Sequence, residues 1–279
     1  MASTAKSTPY AVRYPSELEA TRSLLAEEKA QAQTLSDGLA ASAAELKKPL
    51  DTDLALRIVE AADEAGESEG YANARAEERA VRSFWEAERG PIGSRVSSAV
   101  QQKASEAKCE GAEQLTSSVP YALRDGVEKQ LERRLRAQSE AHLLIERNKS
   151  SLGQGNVAVL SKLADDVAMI SYLVHNALIR EQNQIARMLY ERRAVERTLD
   201  DAIEEETRPP ASPQSPAERK ASAERLAELT KSRETQATAV TNAEGEIKTG
   251  EEQVKAAQAE YAKALSALRD ELHKLSLER

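Results

Sequence analysis

From Asn156 to Glu206 the chain runs 51 residues without a proline or a glycine. At 1.5 Å per residue, one helix over that span would be roughly 76 Å long. Apolar residues recur along it at helical spacing: Leu160, Leu163, Val167, Ile170 and Val174, then Leu178, Ile185, Met188, Val195 and Leu199. A helix of this length needs others laid along it to bury that stripe. The expected fold class is therefore all-α: an elongated multi-helix bundle or coiled coil with long antiparallel helical hairpins.

Composition supports the same class. Ala, Glu, Lys, Leu and Arg account for 153 of the 279 residues. That bias, with helical periodicity, marks coiled coils and long helices. Aromatic residues are 3% of the chain, too few for one thick core. The helices are expected to meet along thin seams of Leu and Ala.

The register of the long helix changes once. Leu160, Val167 and Val174 stand seven apart, with Leu163, Ile170 and Ala177 between them. From Leu178 a second series runs through Ile185, Arg192 and Leu199, with Glu181, Met188, Val195 and Ala202 between. The four-residue step from Val174 to Leu178 is a stutter, which locally unwinds a left-handed supercoil. The second series places Glu181 and Arg192 on the seam. Polar groups there fix register and partner at some cost in stability. Both are candidate seam-specificity residues.

The other segments are arranged around this helix. Residues 1–15 read as a flexible tail. Ser16, with Glu19 three residues on, forms a capping box for a first helix. Its seam is Leu18, Leu25, Ala32, Leu39 and Leu46, and Pro49 ends it. Asp51 or Asp53 caps a second helix reaching about Arg89. That helix has few large apolar residues, and Gly66 and Gly70 each weaken it by about 1 kcal/mol relative to Ala. It is expected to be mobile or thinly packed. A third helix of small residues begins at Ser94, and Pro120 interrupts it. The loop Ser150–Gly155 follows, with Asn156 as the cap of the long helix.

Four prolines between 209 and 216 break the helical pattern. Ser215-Pro216-Ala217-Glu218 reads as a capped restart with proline at the first position. The last helix carries the most regular seam: Leu226, Arg233, Val240, Ile247, Val254, Tyr261, Leu268 and Leu275, with Leu229, Gln236, Ala243, Gly250, Ala257 and Ala264 between. Small residues on the second line permit close approach of a neighbour, which makes Gly250 a third seam-specificity candidate. The expected organisation is a tail (1–15), a bundle (16–206), a proline-rich turn (207–217) and a C-terminal helix (218–279) folding back on 156–206.

Phe84 and Trp85 are the only Phe and the only Trp, and they stand beside Gly90-Pro91-Ile92-Gly93. Aromatic anchors dominate interface energies, so Phe84, Trp85 and Ile92 are the candidate partner-contact residues. An internal plug beneath the turn is the competing role.

Little in the sequence points to chemistry. One cysteine, Cys109, cannot form an internal disulfide. The three histidines lack the Glu-x-x-His spacing of a bundle metal site. The 150–155 loop matches neither nucleotide-binding fingerprint, and no nucleophile motif appears. The net charge of −8 argues against nucleic acid. No metal, cofactor or small-molecule substrate is inferred. The expected function is a non-enzymatic scaffold or spacer acting through protein–protein contacts, with itself or another helical partner. A helical protein acting on membranes is the alternative. No signal peptide or membrane-length apolar run is seen, so the expected location is the cytoplasm.

Overall fold

The structure is a computed structural model that describes residues 15–48, 50–82, 102, 125–127, 129–131, 133, 135–136, 139–210 and 213–277. Among these residues the fold is all-α, with no strand. Its elements are α1 (Pro15–Ala43), α2 (Thr52–Glu67), α3 (Glu140–Arg147), α4 (Lys149–Leu152), α5 (Gln154–Tyr172), a π-helical turn (Leu173–Ala177), α6 (Leu178–Thr207) and α7 (Pro216–Leu277). Residues 69–82 and the described residues between 125 and 136 are also helical.

Local chemistry sets several of the helix ends. Asp51 caps α2, its side chain accepting from Leu54 N at 3.0 Å. Ser215 and Glu218 form the reciprocal box at α7: Ser215 N donates to Glu218 Oε2 at 2.7 Å and Glu218 N to Ser215 Oγ at 3.3 Å. Those bonds hold the Glu218 carboxyl below its usual range, the backbone donor contributing most. Two expected caps are corrected. α1 begins at Pro15, a residue of fixed backbone φ that suits the first helical position, so Ser16 lies inside the first turn. α5 begins at Gln154, because Gly153 takes a φ of +78° and breaks the chain there. Asn156 is therefore inside the helix, and the expected loop before it contains the short α4.

The chain divides into two compact units. The first, here the hairpin unit, comprises Met1–Gln33 and Leu173–Glu260. Its α6 and α7 run antiparallel, and paired positions show the register. Arg225 Nη2 meets Glu206 at 2.9 Å, Arg233 Nε meets Asp200 at 3.0 Å, and Gln236 Nε2 donates to Arg192 O at 2.8 Å. Further along, Gln182 Nε2 donates to Ile247 O at 3.0 Å and Gln258 Nε2 to Val174 O at 3.1 Å. The fold-back at the prolines is thus present. The N-terminal half of α1 joins this pair: Leu18 and Leu25 pack on Ile185, Leu189, Ala243 and Ile247.

The second, the core unit, comprises Thr34–Tyr172 and Tyr261–Arg279. α2 packs on α5 and on α3. Its core is apolar and fully enclosed: Leu39, Ile58, Val59, Ile145, Leu160, Leu163, Ile170, Leu268 and Leu272 are each almost without exposure. The expectation of a thin second helix is overturned here. α2 buries Leu54, Ala55, Ile58, Val59, Ala62 and Gly66. Gly66 is what allows this. A Cβ at that position would clash with the carbonyl oxygen of Ala168 and stand 2.7 Å from Ser171 Cβ. The glycine lets the α5 backbone come close, and that contact outweighs its poor helix propensity.

The stutter coincides with the π-helical turn at Leu173–Ala177. Both insert spare residues into a regular repeat. The wider i→i+5 pattern holds one residue more per turn than an α-turn. It lets Val174, Ala177 and Leu178 all be buried. Such a widening leaves carbonyls short of their usual donors, and the Gln258 amide supplies one to Val174 O.

Candidate functional site

Three of the expected site residues fall in the hairpin unit. Glu181 is buried, 4% exposed, and Arg180 beside it donates from Nε to its Oε1 at 3.0 Å, with Nη2 in ion-pair contact with the same oxygen at 2.9 Å. The same Nη2 stands 4.0 Å from Glu28 Oε1, a second buried carboxylate, contributed by α1. Two carboxylates withdrawn from water around one guanidinium are costly unless paired. Their pairing ties α1 to the start of α6.

Gly250 lies against the side chain of Gln182, which is 5% exposed. A Cβ at position 250 would overlap the Gln182 carboxamide. The glycine therefore makes room for the amide that bonds Ile247 O. This corrects one expectation. The small-residue line of α7 admits a side chain at Gly250, whereas the close backbone approach occurs at Gly66 in the core unit. Arg192 also departs from its expected place. Its side chain is exposed, and only its carbonyl takes part in the seam, accepting from Gln236. The buried line moves instead through Gln182, Ile185 and Leu189. Phe84, Trp85 and Ile92 lie outside the described residues.

Beside Gln182, α1 and α7 leave an open groove of about 660 Å³. Ile185, Leu25 and Gly250 contribute apolar surface to it, with Arg22, Lys29 and Glu246 also in the lining. Arg22 and Glu246 form an ion pair within that lining.

The core unit holds polar contacts of its own. Asn156 grips the chain after α1 at both backbone groups of one residue: its Oδ1 accepts from Lys47 N at 2.8 Å and its Nδ2 donates to Lys47 O at 2.7 Å. Tyr261 OH donates to Asp63 Oδ1 at 2.5 Å, and Ser171 Oγ donates to the Asp63 carbonyl at 2.9 Å. Burial first, then the Asp63 bond, pushes the Tyr261 hydroxyl well above its ordinary pKa. Burial likewise pushes Tyr71, packed on Tyr172 with ring centroids 5.6 Å apart, up to about 12. Asp165 joins His142 Nε2 and Arg136 Nη2, each at 2.8 Å.

Gln182, Glu28 and the His142–Asp165 pair are not among the expected site residues. Glu28 has a signal: Thr21 and Glu28 stand seven apart, midway between the leucines and alanine of the α1 seam, and both are buried. Gln182 has none, because the seven-residue series from Leu178 selects Glu181 and passes over the residue beside it, although both are buried.

Among the described residues, no group of three or more His, Cys, Asp or Glu is placed to hold a metal ion. Nor is any helix there long and apolar enough to cross a membrane. Comparison with known protein families, curated proteins and solved structures finds no match for this chain.

Proposed function

We propose that this protein is a non-enzymatic scaffold or spacer, placed in the cytoplasm, that acts through protein–protein contacts. The observation that carries this reading is the way the α6–α7 hairpin is held. Gln182, Gln236 and Gln258 each donate an amide N–H to a backbone carbonyl of the opposite arm. A backbone carbonyl is a fixed point along a helix, so each bond opposes sliding of the two arms. Ion pairs of Arg193 with Glu244, Arg233 with Asp200 and Arg225 with Glu206 repeat the constraint toward the proline turn. Polar seam contacts of this kind favour one register over its neighbours at some cost in stability. A hairpin of fixed register presents its end at a fixed distance, which is what a spacer supplies.

Proximity labelling in cells tests the reading. A variant with 190–239 replaced by a short loop should fold, by circular dichroism, and lose a defined set of protein neighbours. An unchanged neighbour set would sink it.

A further inference from the structure

We propose that the exposed face of α6 near the proline turn pairs antiparallel with the same face of a second copy of this chain. The inference rests on the scaffold reading and names the partner for one part of it.

The carrying observation is the order of charge along 190–208. Arg192, Arg193 and Arg197 come first, with Glu191 and Glu196 among them, and Asp200, Asp201, Glu204, Glu205 and Glu206 follow, closed by Arg208. The order is reversed about Leu199. Turning a second copy end for end at that level sets Arg197 opposite Asp201 and Arg193 opposite Glu205. It also sets Tyr190 opposite Arg208. Every acid–base match occurs twice, as a two-fold interface requires.

The outward face agrees with this pattern. Tyr190, Ala194, Arg197, Asp201, Glu205 and Arg208 follow one another at steps of three or four, and all are exposed. Tyr190, half exposed, is a large hydrophobic residue left open on α6. Arg197, Asp201 and Glu205 make no side-chain hydrogen bond or ion pair with any described residue. Arg197 precedes Asp201 by four, the poorer order for a pair within one helix. The contacts that neighbouring groups do make are exposed: Arg208 with Glu204 at 2.9 Å, and the Arg193 guanidinium, which pairs with Glu244 of α7 and stands 5.5 Å from the Tyr190 ring centroid.

Helix energetics gives a second, independent observation. Acidic residues are unfavourable at a helix C-terminus, where the macrodipole is negative. α6 nonetheless ends in Glu204, Glu205 and Glu206, with no basic residue in its last turn. Arg225 of α7 offsets Glu206 and Arg208 offsets Glu204. Glu205 is left for an outside cation, and the pairing brings Arg193 of the second copy to it, shared with that residue's exposed Glu244 contact. The interface is led by charge, so it is steered by complementarity and weakened by salt.

The test is analytical ultracentrifugation of the full chain across concentration, at low and high salt. Self-association is expected at low salt and should fall as salt rises. Arg197→Asp should raise the dimer dissociation constant at least tenfold, and Asp201→Arg should do the same. The double variant Arg197→Asp with Asp201→Arg should restore association. Circular dichroism establishes that each variant folds. A chain monomeric at every concentration, or a dimer indifferent to both single reversals, would overturn the pairing. If the protein neighbours mapped by labelling persist in that case, the scaffold reading stands while this partner is lost.

Discussion

The two ends of α7 pack in different ways. In the core unit it buries Tyr261, Leu265, Leu268 and Leu272 against an enclosed apolar interior. In the hairpin unit, between Leu189 on one arm and Val240 on the other, no described residue is buried. Val195, Leu199, Ile203, Leu226 and Leu229 are only partly covered there. The spacing of the seam is the same at both ends. What differs is how many helices share it. Additional helices enclose the core unit's stripe, whereas the two described helices leave theirs half wet and rely on amides and ion pairs for alignment. Heptad spacing therefore specifies which side of a helix turns inward, and the number of neighbours decides how much stability that yields.

Truncations should separate the two regimes most strongly. Leu163→Ala in the core unit should cost about 2–5 kcal/mol, the range for an enclosed leucine. Leu199→Ala, whose site is already partly open, should cost clearly less. Chemical denaturation of both variants checks the comparison, and equal losses would break it.

Next in size are the glycines at 66 and 70. Gly66→Ala forces a methyl against the Ala168 carbonyl and Ser171, so a loss of about 1–3 kcal/mol is expected from overpacking. At Gly70 a Cβ would meet nothing within 4 Å; Gly70→Ala should instead stabilise by up to about 1 kcal/mol. Thermal melts of the two variants should move in opposite directions.

Alkaline titration probes the core unit through its tyrosines. Tyr71 and Tyr261 both have raised pKa values in the folded state, because burial disfavours the phenolate. Their contribution is fully present below the unfolded tyrosine value of about 10. It is lost as the pH rises from there through the folded values. The melting midpoint should therefore drop above about pH 10, and less steeply in Tyr261→Phe.

The smallest effect lies at Gly250. Gly250→Ala gains helix propensity, about 1 kcal/mol, yet displaces the Gln182 amide from its bond to Ile247, worth about 0.5–1.5 kcal/mol. The two should nearly cancel. In a Gln182→Ala background the opposing contribution is gone, and Gly250→Ala should stabilise by about 1 kcal/mol. A double-mutant cycle showing no coupling between the two positions would mean that the glycine does not serve the amide.

Much of this is readable from the sequence. The line Val240, Ile247, Val254, Tyr261 and Leu268 is buried throughout, and the stutter, the proline fold-back and the Ser215 box all occur as expected. Helical spacing and capping are local properties, so a local reading reaches them. The failures share the opposite cause. Asn156 reads as a cap from its neighbours, but its side chain is committed to Lys47, 109 residues away. Gly66 and Gly250 look equivalent as helix glycines, and only the facing atoms, a backbone in one case and a carboxamide in the other, tell them apart. Arg192 is misplaced by a strict seven-residue count from Leu178, because a straight α-helix drifts by about 20° per heptad and the buried line runs through Gln182, Ile185 and Leu189.

That widened turn at Leu173–Ala177 also bears on which insertions and deletions the chain can absorb. Removing whole seven-residue blocks from both arms of the hairpin keeps Gln236 opposite its carbonyl and Leu189 in its cluster with Ile185, Ala243 and Ile247. Removing one residue from α6 turns everything beyond it by about 100° and strips the seam of its apolar side. The π turn is the one described place where the helix already carries a surplus residue, at a stretch that includes half-buried His175 and Asn176. A single-residue deletion there has an α-turn to relax into. The same deletion at Ala186 or Ala194 has none, so gain and loss of single residues in this helix should be confined to these five positions.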